Sequence, residues 1–460
     1  MTRLVPLLFL LACKPGTEDT GPADFSGVLP DGSCASGEAP TDTTPAFCGK
    51  IPKNLIFISI DTLAIDHLGW YGDKEITPFL DAIAAKSVTL DNNIQCSNWT
   101  FASTSCTMLG RTNIDNGFVP RLVGPEEFPE GTQFIANYLA DEGYYSQLVS
   151  GNAWLGNKWR NNQGYRKFST PGGARTMNVY NKSMDLYTTS VSDGLVEDRW
   201  FLHMHLLEPH AAYNPPPEYL TGLNELPPIP SDWDLTTQDA MYSVTGQWPV
   251  MTDEEQSLLE KHLRVRYEGE IKFVDDQLVD VWRGLVEDGM LDDALVVFWS
   301  DHGEAFWEHG RQTHAYTLFG VENDAFVYFW ARNIVPERWT GITQSIDVLP
   351  TIFKLFDIPI PPEVTGIPLG EATEDRVRYT MTSARLGQIQ SVISDGWKLT
   401  MRWQGGMTMS NPGADPNETE DLYDPENPRT LELWDLLKPR VLAAEPLIDG
   451  ANINWPDDLP

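Results

Sequence analysis

Three side chains able to bind a cation stand at the ends of two apolar runs more than two hundred residues apart. Asn54-Leu-Ile-Phe-Ile-Ser-Ile-Asp61 is an unbroken hydrophobic stretch that stops on a carboxylate. Ala294-Leu-Val-Val-Phe-Trp-Ser-Asp301-His302-Gly303-Glu304 stops on Asp-His-Gly. Runs apolar on both faces and rich in β-branched and aromatic residues read as central strands of a parallel sheet. Ligands bind at the carboxyl edge of such sheets. Asp61, Asp301 and His302 therefore converge where chemistry takes place, and two carboxylates with an imidazole form a divalent-metal ligand set. A single strand-end Asp is more often a helix cap or a turn residue. The matched pair, with His302 and Gly303 attached, argues for the metal.

The elements that must position these groups follow from the pattern of the chain. A loop at 64–72 follows the first strand, and Thr77-Pro78 opens a helix to about Lys86, with Pro at its first position. Ser97-Asn-Trp-Thr100 leads into a Ser/Thr-rich helix that ends near Gly110-Arg111. Helix is expected over 132–141, strand over Tyr144–Ser150, loop over 151–180, and a further central strand over Trp200–Leu206. Residues 221–252 lack periodicity and read as a lid. A helix follows over Glu254–Val286, with Asp275, Asp276 and Asp280 solvated. Ala325–Trp330 reads as strand and Ser345–Phe356 as amphipathic helix. Past Gly370 the pattern turns antiparallel, with strands near Val377–Thr382, Gln390–Ser394 and Lys398–Trp403 and a helix near Leu431–Leu442. The fold class is α/β: a mostly parallel sheet between helices, followed by a small antiparallel α+β subdomain.

With 460 residues, 41% of them hydrophobic, the chain can build one large α/β domain and a smaller appendage. The 66 acidic against 32 basic side chains give a net charge of −34, which excludes nucleic acid as a partner. An anionic substrate would be repelled at long range, so its site must supply a local positive field, as a metal does. Arg3, the apolar run to Ala12 and Cys13 resemble a bacterial lipoprotein signal, with Leu10-Leu-Ala-Cys13 as lipobox and Cys13 lipidated. Residues 1–13 are then the signal and 14–50 a flexible tether. No later segment is long enough for a membrane helix, so the protein is expected to be exported and held at the periplasmic or outer-membrane surface through its lipid alone. Cys34, Cys48, Cys96 and Cys106 would meet an oxidising compartment, and short separations favour Cys34–Cys48 and Cys96–Cys106.

Several ordered motifs together resemble the sulfatase family of the alkaline phosphatase superfamily. They are Asn54–Gly72, Trp99–Arg111, Phe201–His210 with its Glu-Pro-His ending, Ser300–Glu304, Glu308–Gly310, Asp347–Thr351 and Glu418–Asn427. The resemblance is strong over 53–370 and weaker to about 440. It implies an alkaline-phosphatase-like catalytic domain over 51–370 and a C-terminal subdomain and tail over 371–460. It further implies one divalent metal held by Asp61, Asp301, His302 and Thr100, with Thr100 at the nucleophile position. His210 and His314 lie where the family places imidazoles that hold the anionic head or protonate the leaving group; apart from the resemblance, His205 on its strand face and His309 beside Glu308 read as candidate substrate-binding residues at the pocket edge.

The chain departs from the family at the centre of this pattern. Sulfatases convert a Cys or Ser followed by Pro and Arg to formylglycine, whereas Thr100-Phe-Ala-Ser-Thr104 has neither Pro nor Arg, and Thr cannot be so converted. Thr62 replaces a second Asp. Calcium is the family metal, and the loss of a carboxylate beside a His ligand shifts the expectation toward manganese or zinc. The activity implied is hydrolysis of a sulfate or phosphate ester, on a glycan or lipid, through a Thr nucleophile. Phosphoryl-group transfer to an envelope polymer and a catalytically inactive glycan-binding protein stand as alternatives. His203 and His205 read equally as packed core histidines and His309 as a loop residue. His262 reads as surface and His67 as structural. Lys158 and Arg160 are the candidate anion clamps, and loop tryptophans such as Trp154, Trp159, Trp233 and Trp248 could stack on sugars, although tryptophans so placed are more often core or interface filler.

Overall fold

A computed structural model describes residues 39–121, 127–170, 175–448 and 452–456. Cys13, the signal, most of the tether and Cys34 lie outside the described residues. The strands are β1 Asn54–Ile60, β2 Val88–Ile94, β3 Tyr145–Ser150, β4 Lys167–Ser169, β5 Trp200–Leu206, β6 Ala294–Ser300, β7 Ala305–Phe306, β8 Gln312–Thr313, β9 Val327–Trp330, β10 Glu337–Gln344, β11 Arg378–Ala384, β12 Gly387–Ser394, β13 Trp397–Arg402 and β14 Met407–Ser410. The helices are α1 Pro78–Ala84, α2 Thr100–Leu109, α3 Ile135–Asp141, α4 Thr176–Ser192, α5 Gln238–Thr245, α6 Asp253–Glu287, α7 Gly320–Asn323, α8 Val348–Leu355 and α9 Pro428–Ala444.

An eight-stranded sheet runs in the order β10-β2-β9-β6-β1-β5-β3-β4, and only β9 opposes its neighbours. The two strands expected at the centre, β1 and β6, are paired in parallel, and every residue of both is buried. Side chains alternate along β1. Ile56, Ile58 and Ile60 pack under α1, α4 and α6, while Leu55 and Phe57 pack under α2, α3 and α8. Each large apolar side chain buried this way stabilises the domain by about 1.5–3 kcal/mol, so helices cover both faces of the sheet.

The strands β11 to β14 form a separate antiparallel sheet, with α9 against it through Val392, Leu399, Met401, Leu433, Trp434 and Leu437. Among the described residues no helix is long and apolar enough to cross a membrane.

The differences from expectation concern polar or interrupted segments. The stretch read as loop holds β4 and the start of α4, and the aperiodic 221–252 stretch holds α5. Asp275 is buried rather than solvated: it accepts hydrogen bonds from the N–H groups of Phe79 and Leu80, both at 2.9 Å. Pro78 leaves these as the first free donors of α1, and the side chain of Thr77 is turned to Asp81, so α6 supplies the cap. His262 is likewise buried, with Nε2 2.8 Å from the Pro227 carbonyl.

Candidate active site

Adjacent strands at the middle of the sheet deliver the site. Ile60 pairs with Ser300, so Asp61 and Asp301 leave β1 and β6 side by side, and on the other flank Ser59 pairs with His205 of β5. One ligand atom from each of Asp61, His205 and Asp301 lies within 4.8 Å of the others, and all three residues are buried. His302 Nε2 stands 3.7 Å from Asp61 Oδ1 and 3.6 Å from Asp301 Oδ2. His205 is thus corrected from a pocket-edge residue to a member of the ligand cluster. Its alternation with Met204 turns it under the edge of the sheet, where it has no exposure.

A cation fits this cluster. Asp301 Oδ1 accepts from the Thr62 N–H at 3.0 Å, while Asp301 Oδ2 is buried with no hydrogen-bond partner. Burial pushes the Asp61 carboxyl up, but the imidazoles of His210, His205 and His302 more than reverse this and hold it below the usual carboxylate range. Burial and then the neighbouring Asp61 charge push Asp301 well above that range. Two buried carboxylates this close cannot both ionise alone, and a divalent ion between them removes the conflict.

Behind the ligands runs a buried chain of polar groups. Ser59 Oγ is 2.8 Å from His205 Nδ1 and 3.0 Å from His203 Nε2, and Tyr165 Oη is 2.9 Å from His203 Nδ1. Such partners fix the ring orientation of a metal-binding His. Thr62, just after Asp61, adopts φ +57°, a costly conformation for a β-branched residue. Its carbonyl accepts from Tyr267 Oη at 2.6 Å, and this contact holds the turn.

Thr100 is the first residue of α2, and its Oγ1 lies 3.5 Å from both Asp61 carboxylate oxygens and from His302 Nε2. Hydroxyls deeper in α2 satisfy themselves on the preceding turn, as Ser103 does on Trp99 O at 2.8 Å, so this polar helix can be buried. The expected Cys96–Cys106 disulfide ties the approach segment to the helix. Asn152, unforeseen, donates from Nδ2 to Asp61 Oδ2 at 2.5 Å and to Thr100 Oγ1 at 3.3 Å. Its Oδ1 accepts from the Trp154 N–H at 2.9 Å, which settles the amide orientation.

Above Thr100 opens a cavity of about 330 Å³ whose walls include Trp99, Asn152, Trp154, His210, His314 and Arg385. The His314 ring sits 4.3 Å from that of His302 and 5.3 Å from that of His210. Its neighbours Thr313 and Ala315 both have φ +70°, so local strain presents it to the cavity. Glu304 Oε1 is 3.1 Å from His314 Nδ1 and orients the ring. Burial and then the imidazoles of His302 and His210 push His314 well below the usual range.

His309 does not reach this cavity: its ring stacks on Phe319 at 3.6 Å. Lys158 lies over the Trp159 ring and Arg160 pairs with Glu127 at 2.8 Å, so neither clamps an anion here. Trp159 and Trp233 are packed and Trp248 stacks on Trp307, leaving Trp154 as the loop tryptophan on the cavity wall.

The family model described as Sulfatase matches residues 53–358, the span that carries Asp61, Thr100, His205, Asp301 and His302. The chain belongs to the sulfatase family, within the alkaline phosphatase superfamily. An arylsulfatase of Clostridium perfringens is 21% identical over 392 residues, 70% of this chain and 79% of that protein. Among solved structures, a protein in complex with its substrate D-glucosamine-2-N,6-O-disulfate superposes with a TM-score of 0.67 at 14% identity, covering 88% of this chain and 100% of that one. A phosphonate monoester hydrolase from Silicibacter pomeroyi superposes with a TM-score of 0.64 at 17% identity, covering 87% and 96%. The alkaline-phosphatase-like fold expected from the motifs is therefore established, and the chain is a sulfatase-like ester hydrolase.

Proposed function

We propose that this protein hydrolyses phosphate- or phosphonate-type esters in preference to sulfate esters, with Thr100 as nucleophile and a transition metal as cofactor. The observation that carries the reading is a threonine hydroxyl at a helix N-terminus, 3.5 Å from both oxygens of a ligand carboxylate and open to the cavity. Orphan N–H groups and the helix dipole there favour an anion. Asp61, His205, Asp301 and His302 would hold the metal, and their mixed nitrogen and oxygen donors suit zinc or manganese better than calcium. Bound there, the metal would act as Lewis acid and lower the pKa of a coordinated hydroxyl.

In the first step Thr100 Oγ1 releases its proton to solvent and bonds to phosphorus, and the bond to the leaving oxygen breaks. His210 can supply that oxygen's proton: its Nδ1 is 2.8 Å from the Ala211 carbonyl, which leaves Nε2 free to exchange a proton. Water then attacks phosphorus and returns a proton to His210, and the bond to Thr100 breaks as its oxygen takes up a proton from solvent. Asn152 holds Thr100 and Asp61 in register throughout. The preference for phosphorus follows from the side chain. A sulfated formylglycine hydrate carries a second hydroxyl on the same carbon, whose collapse expels sulfate; Thr100 has none, so its ester must be resolved by attack at the central atom.

Trp99 and Trp154 on the cavity wall suit a sugar or aromatic leaving group. A sulfated sugar, as bound by the solved relative, is the second reading. Aryl phosphodiester, phosphonate and sulfate substrates, each assayed with zinc, manganese or calcium, decide between the two. Turnover of the phosphorus esters, lost in Thr100→Ala, is expected; sulfate turnover alone would refute the preference. Attachment through Cys13 is proposed from the lipobox, and labelled-lipid incorporation that survives Cys13→Ser would exclude it.

A further inference from the structure

Arg385 is the permanently charged cation among the residues lining the cavity, in a chain whose net charge is −34. An approaching anion meets a repulsive long-range field, so a half-buried guanidinium on the wall of the cavity that Thr100 also lines has a large local effect. Arg385 comes from neither the large sheet nor its helices. It sits in the turn between β11 and β12 of the C-terminal sheet, and its backbone N–H donates to Ala315 O at 3.1 Å, next to His314. Its guanidinium lies over the rings of Tyr242 in α5 and Tyr316, at 5.0 and 5.2 Å. Nη2 donates to Tyr242 Oη at 3.3 Å and Nη1 to Tyr316 Oη at 3.5 Å. No carboxylate pairs with it among the described ion pairs, and Nε is buried without a hydrogen-bond partner. A fork held on two aromatic faces with donors unspent is arranged for a planar or tetrahedral oxyanion.

We infer that Arg385, carried in from the C-terminal subdomain, clamps a non-bridging oxygen of the substrate's anionic head opposite the metal ligands. It would take the place of the arginine absent from the start of α2, where Thr104 stands. The inference rests on the cavity being the ester site. It makes the C-terminal subdomain part of substrate recognition, and it commits the substrate to an ester that keeps at least one negative oxygen. Fully neutral triesters would lose this contact.

Inorganic phosphate and sulfate serve as probes, with affinity read from ligand-induced thermal shifts of the metal-loaded protein, independently of turnover. Arg385→Gln is expected to weaken phosphate binding by about 10-fold to 100-fold and to raise KM for a diester far more than it lowers kcat. Metal content and the ligand-free Tm should be unchanged. Arg385→Lys, which keeps the charge but loses the fork, should fall between the two and covers the case in which the Gln variant misfolds. Thr100→Ala should bind phosphate as the wild type does while turning over nothing. An active Thr100→Ala protein would sink the nucleophile assignment and leave the clamp standing. A folded, metal-loaded Arg385→Gln or Arg385→Lys protein that binds phosphate and sulfate as tightly as the wild type overturns the clamp, as does a wild type that binds neither anion at millimolar concentration.

Discussion

The floor and the roof of the active site are built in opposite ways. The floor comprises Asp61, His205, Asp301 and His302, all without exposure, at the edge of three adjacent parallel strands. The roof is assembled from loops, a helix end and a second sheet: His210 after β5, His314 between two strained residues, Gln238 from α5 and Arg385 from the β11–β12 turn. Rigid strands place metal ligands to a fraction of an ångström, as coordination requires. Loops over such a scaffold can change without disturbing it, which suits substrate selection. Chemistry and recognition should therefore respond separately to mutation.

Removing the nucleophile gives the largest effect. Thr100→Ala should lower kcat by about 10³-fold or more while leaving metal content near that of the wild type, and an unchanged rate would erase the distinction between floor and roof. Asp301→Asn comes next. Bound metal measured by elemental analysis should drop severely, because the conflict between two buried carboxylates that favours the ion is gone.

A subtler change on the floor is Ser59→Ala, which leaves His205 without its Nδ1 partner and should weaken metal affinity by about 10–100-fold in a competition titration. If only KM moved, Ser59 would belong with the roof. Loss of the Cys96–Cys106 bond should cost about 2–4 kcal/mol in denaturant unfolding, with the remaining activity per folded molecule little altered.

The smallest effect lies remote from both regions. Burial, partly opposed by the two backbone donors, pushes the Asp275 carboxyl up to about 8 from 3.8. A group that binds its proton more tightly when folded favours the fold at low pH and loses that advantage as pH rises from about 4 through about 8. The Tm of Asp275→Asn should therefore depend less on pH across that window than the Tm of the wild type. A parallel pair of curves would show that Asp275 stays ionised as the cap of α1.

Much of the floor was legible in the residue order alone. Asp61, Asp301 and His302 each follow a continuous apolar run, and hydrophobic periodicity within one strand is a local property. Thr100 at the start of a Ser/Thr-rich helix and the Cys96–Cys106 pair were equally local. His205 was visible as a strand residue, yet its role depended on which strand lies beside β1, and pairing between segments more than a hundred residues apart leaves no local trace. Asn152 and the start of α4 lay in a stretch of Asn, Gly and Trp with no readable period.

The sequence by itself thus determined which strands end in carboxylate and imidazole groups, which hydroxyl opens α2 and that no formylglycine can form there. Only the tertiary structure decided that His205 joins Asp61 and Asp301, that His309 stays away from the cavity and that a guanidinium from a second sheet lines the same cavity as Thr100. Backbone propensity and side-chain alternation act over a few residues, whereas a binding site is a convergence of distant segments whose register is set by packing of the whole core.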